Sequence, residues 1–345
     1  MNETLISVRG KQVKVPEVRV EGVNFVVGGK LLRELSVKDE EYVEGNPISE
    51  PERIIPQLKK LQTGADFFSF AQRIPDLNPR FAYPMRWDNS AAVSTKSYSD
   101  WWTQLSQETR RNVRLAGKRG VVVRAAPFDD DLVRGIAAIY NETPVRHGRR
   151  FWHYGKSVET VRRDNESFSG RSCFIGAYLG GELIGFIKMV YVDGLASIMQ
   201  ILSKNEHQDK RPTNALLAKA VEICSEKQKS FLLYCKYTYH RGCEDDLMEF
   251  KRRNGFQEVR FPRYYVPLSL KGKLGLSLKL HHGVDLLPPP IVSSLLRLRA
   301  RYHQARLGQQ SKDTSTAKRG VASKTAGSGV GAGRKDLPER VSAVD

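Results

Sequence analysis

Two short stretches concentrate the side chains that can do chemistry. In the first, Glu142, Arg146, His147 and Arg149 place one carboxylate, two arginines and a histidine within eight residues. A carboxylate in that company can take a proton from a nucleophile, and arginines can hold an anionic or sugar-like acceptor. As a plain surface ion-pair cluster, the same residues would contribute under about 1 kcal/mol per pair. The second stretch is HQDKRPTN (207–214). Pro212 suits the first turn of a helix, so Thr213 and Asn214 belong to a helix N-terminus, with free N–H groups and a partial positive charge. Lys210 and Arg211 stand just before it, and together these four residues offer a place for a phosphate. As an ordinary solvated loop they would bind nothing.

A third feature is charge alone. Arg110, Arg111, Arg114, Lys118, Arg119 and Arg124 crowd a segment with no acid between Glu108 and Asp129. On a helix, positions 110, 114 and 118 share one face. Like charges stacked there suit a polyanion such as tRNA, a phosphosugar or a lipid diphosphate; a solvated basic face is the alternative. The whole chain follows the same bias, with 56 Lys and Arg against 38 Asp and Glu and a net charge of +18. Charge of that size draws anions in general, and no helix-turn-helix, RNA-recognition or zinc-finger pattern narrows it to nucleic acid.

The elements that must position these residues can be read from turn and cap signals. In 345 residues there is room for one large domain or two modest ones. Residues 12–36 read as strands broken at Gly22 and Gly28-Gly29, followed by a helix from Pro51 towards Gly64 and a strand over 66–73. A proline-rich loop and an extended piece over 85–93 come next. The spacing predicts one helix over 99–118, a strand at 121–124 and a helix over 129–141. Gly180-Gly181 and Asp193-Gly194 are hairpin signals that cut 172–203 into a three-stranded antiparallel meander. A helix over 212–227, a strand over 231–235, a helix over 245–254 and two closing strands at 256–260 and 264–268 complete the core.

The four cysteines, Cys173, Cys224, Cys235 and Cys243, form no CxxC pair, so neither a metal nor a disulfide framework is expected, and a reduced, cytoplasmic setting fits. No apolar run reaches the length of a membrane span, and the first residues lack a signal-peptide block. After Pro288-Pro289-Pro290, residues 291–308 read as a basic amphipathic helix. It suits either the inner face of an anionic membrane or packing against the core. From 309 onward, Ser, Gly, Ala, Lys and Thr dominate and disorder is expected.

The order of these elements resembles that of GNAT-like N-acyltransferases. The string NGF (254–256) after a helix carrying FKRR is similar to the close of many such domains. SQETRRNVRLAGKRGVVV (106–123) resembles the entry helix of Fem-type transferases, and NETPVRHGRRFWHYGK (141–156) resembles a segment of acyl-CoA-dependent enzymes of polysaccharide clusters. The resemblance implies an α/β fold of mixed α+β type, with a mostly antiparallel central sheet flanked by helices. It divides the chain into 1–95 (a mixed α/β region without a fixed-period repeat, open to being a degenerate GNAT-like half), a transferase core at 96–270, a basic extension at 271–308 and a tail at 309–345.

The resemblance further implies transfer of an acyl group from acyl-CoA (acetyl-CoA) to an amino sugar or similar polar acceptor, in surface polysaccharide or lipid biosynthesis. Lys210, Arg211, Thr213 and Asn214 would hold the donor; Arg146, His147, Arg149 and Tyr237 the acceptor; and Glu142 or His240 would be the base, with Glu206, His207 and Tyr239 near the same splayed strands. The family's glycine-bearing phosphate pattern is absent from 207–214, as is common in Fem-type proteins. A Fem-type transferase drawing on aminoacyl-tRNA is therefore the alternative. The lack of sustained heptads, and an N-terminal region short for a full second half, favour acyl-CoA. A non-enzymatic nucleic-acid-binding protein is the reading from charge alone.

Overall fold

Glycine and proline set the chain's turns. Gly180 and Gly181 both take positive φ, at 57° and 87°, which a two-residue hairpin turn demands, and Asp193 does so at 50° in the next turn. The computed structural model describes residues 2–8, 11–40, 48–146, 149–238 and 246–281. Strands β1 (Asn2–Val8), β2 (Lys11–Val20), β3 (Val23–Gly28) and β4 (Glu34–Val37) come first, then α1 (Pro51–Lys60), β5 (Phe67–Ala71) and β6 (Met85–Ser94). They are followed by α2 (Tyr98–Gln104), α3 (Gln107–Lys118), β7 (Val122–Ala126), α4 (Asp130–Asn141), the short pair β8 (Val145–Arg146) and β9 (Arg149–Arg150), and α5 (Val158–Asn165). The meander is β10 (Ser172–Leu179), β11 (Glu182–Val192) and β12 (Leu195–Ser203). The chain closes with α6 (Pro212–Glu226), β13 (Phe231–Leu233), α7 (Asp246–Arg253), β14 (Gln257–Pro267) and α8 (Leu270–Ser277).

Twelve strands form one sheet in the order β1-β2-β3-β4-β5-β14-β6-β13-β12-β11-β10-β7. The order reads the same from both ends. Each half runs an antiparallel meander, crosses over through a helix (α1 or α6) and returns as a strand parallel to the last meander strand, β5 beside β4 and β13 beside β12. The final strand of each half is then exchanged: β14 pairs with β5, β6 pairs with β13, and β6 and β14 pair with each other. The N-terminal half reaches this strand pattern in fewer residues because no helices precede its meander.

The three largest apolar clusters among the described residues follow from this layout. Ile175, Ile187, Ile198, Leu216 and Val221 pack α6, α2 and α3 onto one face of the C-terminal half, while Val133, Ile136, Tyr140, Phe174 and Phe186 pack α4 and α5 onto the other. Phe25, Leu35, Phe68, Phe70 and Tyr264 fill the N-terminal half, and Tyr264 comes from the exchanged strand. Between the halves, the Arg263 guanidinium on β14 meets Asp88 of β6 at 2.8 Å and Glu40 at 2.7 Å, and Lys236 reaches Asp88 at 2.9 Å. Burial alone would lower the Arg263 pKa, but the two carboxylates raise it above its ordinary value.

Local departures from the expected elements have local causes. The helix expected over 99–118 is two helices, because the Ser106 hydroxyl accepts the Thr109 N–H at 3.1 Å and starts α3 afresh. The two closing strands are one, β14, held straight by ladders on both sides. Helix α5 had no strong apolar stripe to announce it. Among the described residues, no helix is long and apolar enough to cross a membrane. Residues 291–345, with the expected basic helix and tail, lie outside the described residues.

Candidate active site

The sheet opens where β12 and β13 part. Their parallel pairing covers only Leu195–Phe231, Ala196–Leu232 and Ser197–Leu233. Beyond Leu233 the chain stays with β6: Tyr234 N–H donates to Ala91 O at 2.8 Å, and Thr238 N–H to the Asn89 side chain at 2.9 Å. β12 meanwhile runs on to Ser203. Its register with β11 slips by one, from Lys188–Gln200 to Met189–Ile198, so Met199 is an extra, bulged residue. Residues 195–198 are buried and 199–203 are only half-buried, which marks the bulge as the start of the opening.

Helix α6 begins at the far end of this open edge. Arg211 takes a left-handed conformation (φ 58°) before Pro212, and no side chain caps the helix. Thr213 lies 3.0 Å from the Ser203 hydroxyl, and the Asn214 amide donates to Asn254 Oδ1 at 3.2 Å. Lys210 is half-buried and lies 3.4 Å from Asp209; Arg211 is exposed. Arg119, at the end of α3, donates to the Asp209 carbonyl, which brings the basic face of α3 alongside the start of α6.

Glu142 and Arg146 meet the same strand end from the other face. The Arg146 guanidinium donates to Glu142 at 2.8 Å, Ile139 O at 2.9 Å and Ser203 O at 2.7 Å, and lies over the Phe151 ring. The second oxygen of Glu142 accepts the Glu206 N–H at 3.0 Å. Burial lowers the Arg146 pKa, with Glu142 opposing. Three of the sequence-derived residues, Glu142, Arg146 and Thr213, are thus drawn together around the end of β12, while Asn214 faces Asn254 at the end of α7. Because both Glu142 oxygens hold backbone or guanidinium donors, Glu142→Ala is expected to destabilise the fold by about 1–3 kcal/mol, leaving a half-buried guanidinium short of a partner. An unchanged thermal melt would refute this pinning role.

The remaining candidates are scattered. Tyr237 packs against the core beneath α6, Arg149 sits in β9, and His207 Nε2 lies 3.6 Å from Glu206. His147, Tyr239 and His240 lie outside the described residues. Glu182, Glu206 and His207 bring three metal-type donor atoms within 4.8 Å of one another, but the Lys204 ammonium already binds both carboxylates.

Sequence reasoning missed a polar chain beside the bulge. The Tyr140 hydroxyl donates to Gln200 Oε1 at 2.6 Å, Gln200 Nε2 lies 3.4 Å from His153 Nε2, and the Lys156 ammonium lies 3.2 Å from His153 Nδ1 and 2.7 Å from Asp164. Burial, then the Lys156 charge, pushes the His153 pKa down to about 4, and burial pushes Tyr140 up to about 12. Both rings stay neutral near pH 7 and hold the Gln200 amide at the open part of β12. Nearby, buried Lys188 donates to Asn165 O, Ser167 O and the Ser167 hydroxyl, which cap the end of α5. The available signal was a lone polar residue in an apolar strand, Gln200 in LASIMQILS and Lys188 in ELIGFIKMVYV.

No family model matches the sequence, and no curated protein matches it. Solved structures do match. One is the C-terminal domain of a protein assigned as a lysylphosphatidylglycerol synthetase from Agrobacterium fabrum, with a TM-score of 0.51 and 12% identity, over 76% of this chain and 86% of that one. Another is FemX, with a TM-score of 0.52 and 11% identity, over 80% of this chain and 89% of that one. At such identity the likeness shows the fold, and the fold is GNAT-like: a large, mostly antiparallel sheet flanked by helices.

Proposed function

We propose that the chain is an acyltransferase that moves an acyl group from acyl-CoA to an amino sugar or similar polar acceptor at the opening between β12 and β13. The observation that carries this reading is the end of strand pairing at Ser197–Leu233, which among the described residues leaves the edge of β12 free as far as the uncapped start of α6. A free strand edge can pair with an extended, amide-bearing donor arm. The helix start, with Lys210 and Arg211, can take the donor's phosphates without a glycine loop. The acceptor would approach from the α4–α5 face, where Gln200, Tyr140 and Arg146 lie.

The test is calorimetry with acetyl-CoA. Lys210→Ala combined with Arg211→Ala is expected to raise the dissociation constant more than about tenfold, because each charge-assisted bond is worth roughly 1.5–3 kcal/mol. Unchanged affinity would overturn the assignment of these residues. A second reading, transfer from aminoacyl-tRNA, is favoured by the exposed Arg111, Arg114 and Lys118 on α3 beside the same helix start. Wild-type protein that ignores acetyl-CoA but binds tRNA with a steep salt dependence would decide for it.

A further inference from the structure

Helix α8 is packed inside out. Its buried positions are glycines, Gly272 and Gly275, while Leu270, Leu274 and Leu278 on the opposite side are 88%, 61% and 57% exposed. The orientation is fixed. A Cβ at Gly272 would lie 1.7 Å from the Asp66 carbonyl oxygen, and one at Gly275 would lie 2.8 Å from the Leu32 side chain. Asp66 also locks the start of the helix: its carboxylate accepts from the Ser269 hydroxyl at 3.1 Å and from Lys271 at 3.1 Å, while Ser269 caps α8 by accepting the Gly272 N–H at 2.9 Å. The leucines therefore cannot turn inward without breaking this seat.

Leucines 270, 274 and 278 follow i, i+4 spacing along one line. Leu280 is 50% exposed, and Leu31, next to the Leu32 that packs on Gly275, is 81% exposed. An apolar ridge of this kind on a folded protein marks a contact surface. Its surroundings say of what kind. Lys30, Lys273 and Lys279 are exposed, as is Lys271 in its pair with Asp66, and no Asp or Glu occurs in residues 259–284. Leucines ringed by lysines match a surface that is apolar within and anionic at its rim, as the headgroup region of an acidic bilayer is.

We propose that α8 and Leu31 form a peripheral docking ridge for an anionic membrane surface, with the leucines in the acyl region and the lysines among the headgroups. The proposal is independent of the acyl-transfer reading. The full chain is to be co-sedimented with vesicles of phosphatidylcholine alone and with vesicles in which about one third is phosphatidylglycerol. Wild-type protein is expected to bind the anionic vesicles at least about tenfold more strongly, with a loss of binding at high salt. Leu270→Asp combined with Leu274→Asp should weaken that binding about tenfold or more and leave the melting temperature unchanged, since both side chains are already in water. Lys273→Glu combined with Lys279→Glu should abolish the preference for anionic vesicles.

Three results would overturn the proposal. Variants that bind as wild type does would place the membrane contact elsewhere in the chain. A melting temperature several degrees lower in the leucine variant would show that the ridge is packed by another segment of the protein. A wild-type dimer in sedimentation that the leucine variant turns into a monomer would make the ridge a contact between copies.

Discussion

Arg263→Met is expected to lower stability by about 3–5 kcal/mol, which for a domain of this size shifts the melting temperature on the order of 10 °C. The reason is what it leaves behind. Arg263 sits between Asp88 and Glu40, whose side chains are 9% and 21% exposed. Removing the cation leaves two carboxylates in the middle of the sheet, with Lys236 beside Asp88 and the Arg73 charge acting on Glu40. Adding Asp88→Asn should recover much of the loss. The pH dependence gives a second check. Burial would raise the Asp88 pKa, but Arg263 and Lys236 lower it below its ordinary 3.8. In wild type its contribution is therefore complete above that ordinary value and disappears as pH falls through the lower folded-state value. In the variant the carboxylates take up protons more readily, so the stability gap should narrow as pH drops below about 5. A gap that stays constant down to acid would show that the pair was never strained by the missing charge.

The second large effect is expected on turnover. On the proposed reading, Gln200→Leu, which removes an oriented polar group from the face the acceptor would approach, should slow acyl transfer about 100-fold while donor affinity stays within about twofold. Tyr140→Phe, which removes only the group that aims the amide, should cost less, around tenfold. Burial, then the Lys156 and Arg146 charges, lower the His153 pKa to about 4, with Asp164 opposing. His153 should then give the rate no inflection between pH 6 and 7. Stability should instead decline as pH falls from the ordinary histidine value of 6.5 towards about 4, where the unfolded chain takes up a proton that the folded ring refuses. Lys156→Met should raise the ring's pKa and bring an inflection into view. A wild-type rate in the Gln200→Leu protein would remove this chain of residues from the chemistry and leave it a structural network.

Much of the fold was legible because its signals are local. Two hairpin turns and Pro212 define the meander and α6, and these alone place Lys210 to Asn214 at the start of that helix. The crowding of Glu142 and Arg146 likewise left an ion pair open, and they form one past the end of α4. What could not be read was long-range. Nothing in residues 85–94 or 257–267 says that each strand completes the other half of the sheet, because both alternate in the ordinary way. The His153–Gln200–Tyr140 chain joins a loop, a strand and a helix, so no spacing rule links its members. Helix α8 shows the same limit from the opposite direction, since its leucine spacing is that of a normal packing face and only the glycine contacts reveal which side is inside.

The exchange of β6 and β14 also sets a timetable for the chain as it is made. β6 leaves the ribosome early, yet one of its neighbours, β13, begins at Phe231 and the other, β14, at Gln257. At about 5–20 residues per second, the wait for β14 is on the order of ten to thirty seconds. Throughout it, β5 and β6 stand with bare edges in the growing polypeptide, able to pair with any other extended strand nearby. Yield in the cell should accordingly depend on chaperone supply and translation speed through residues 95–256, although none of those residues lies in either exposed strand.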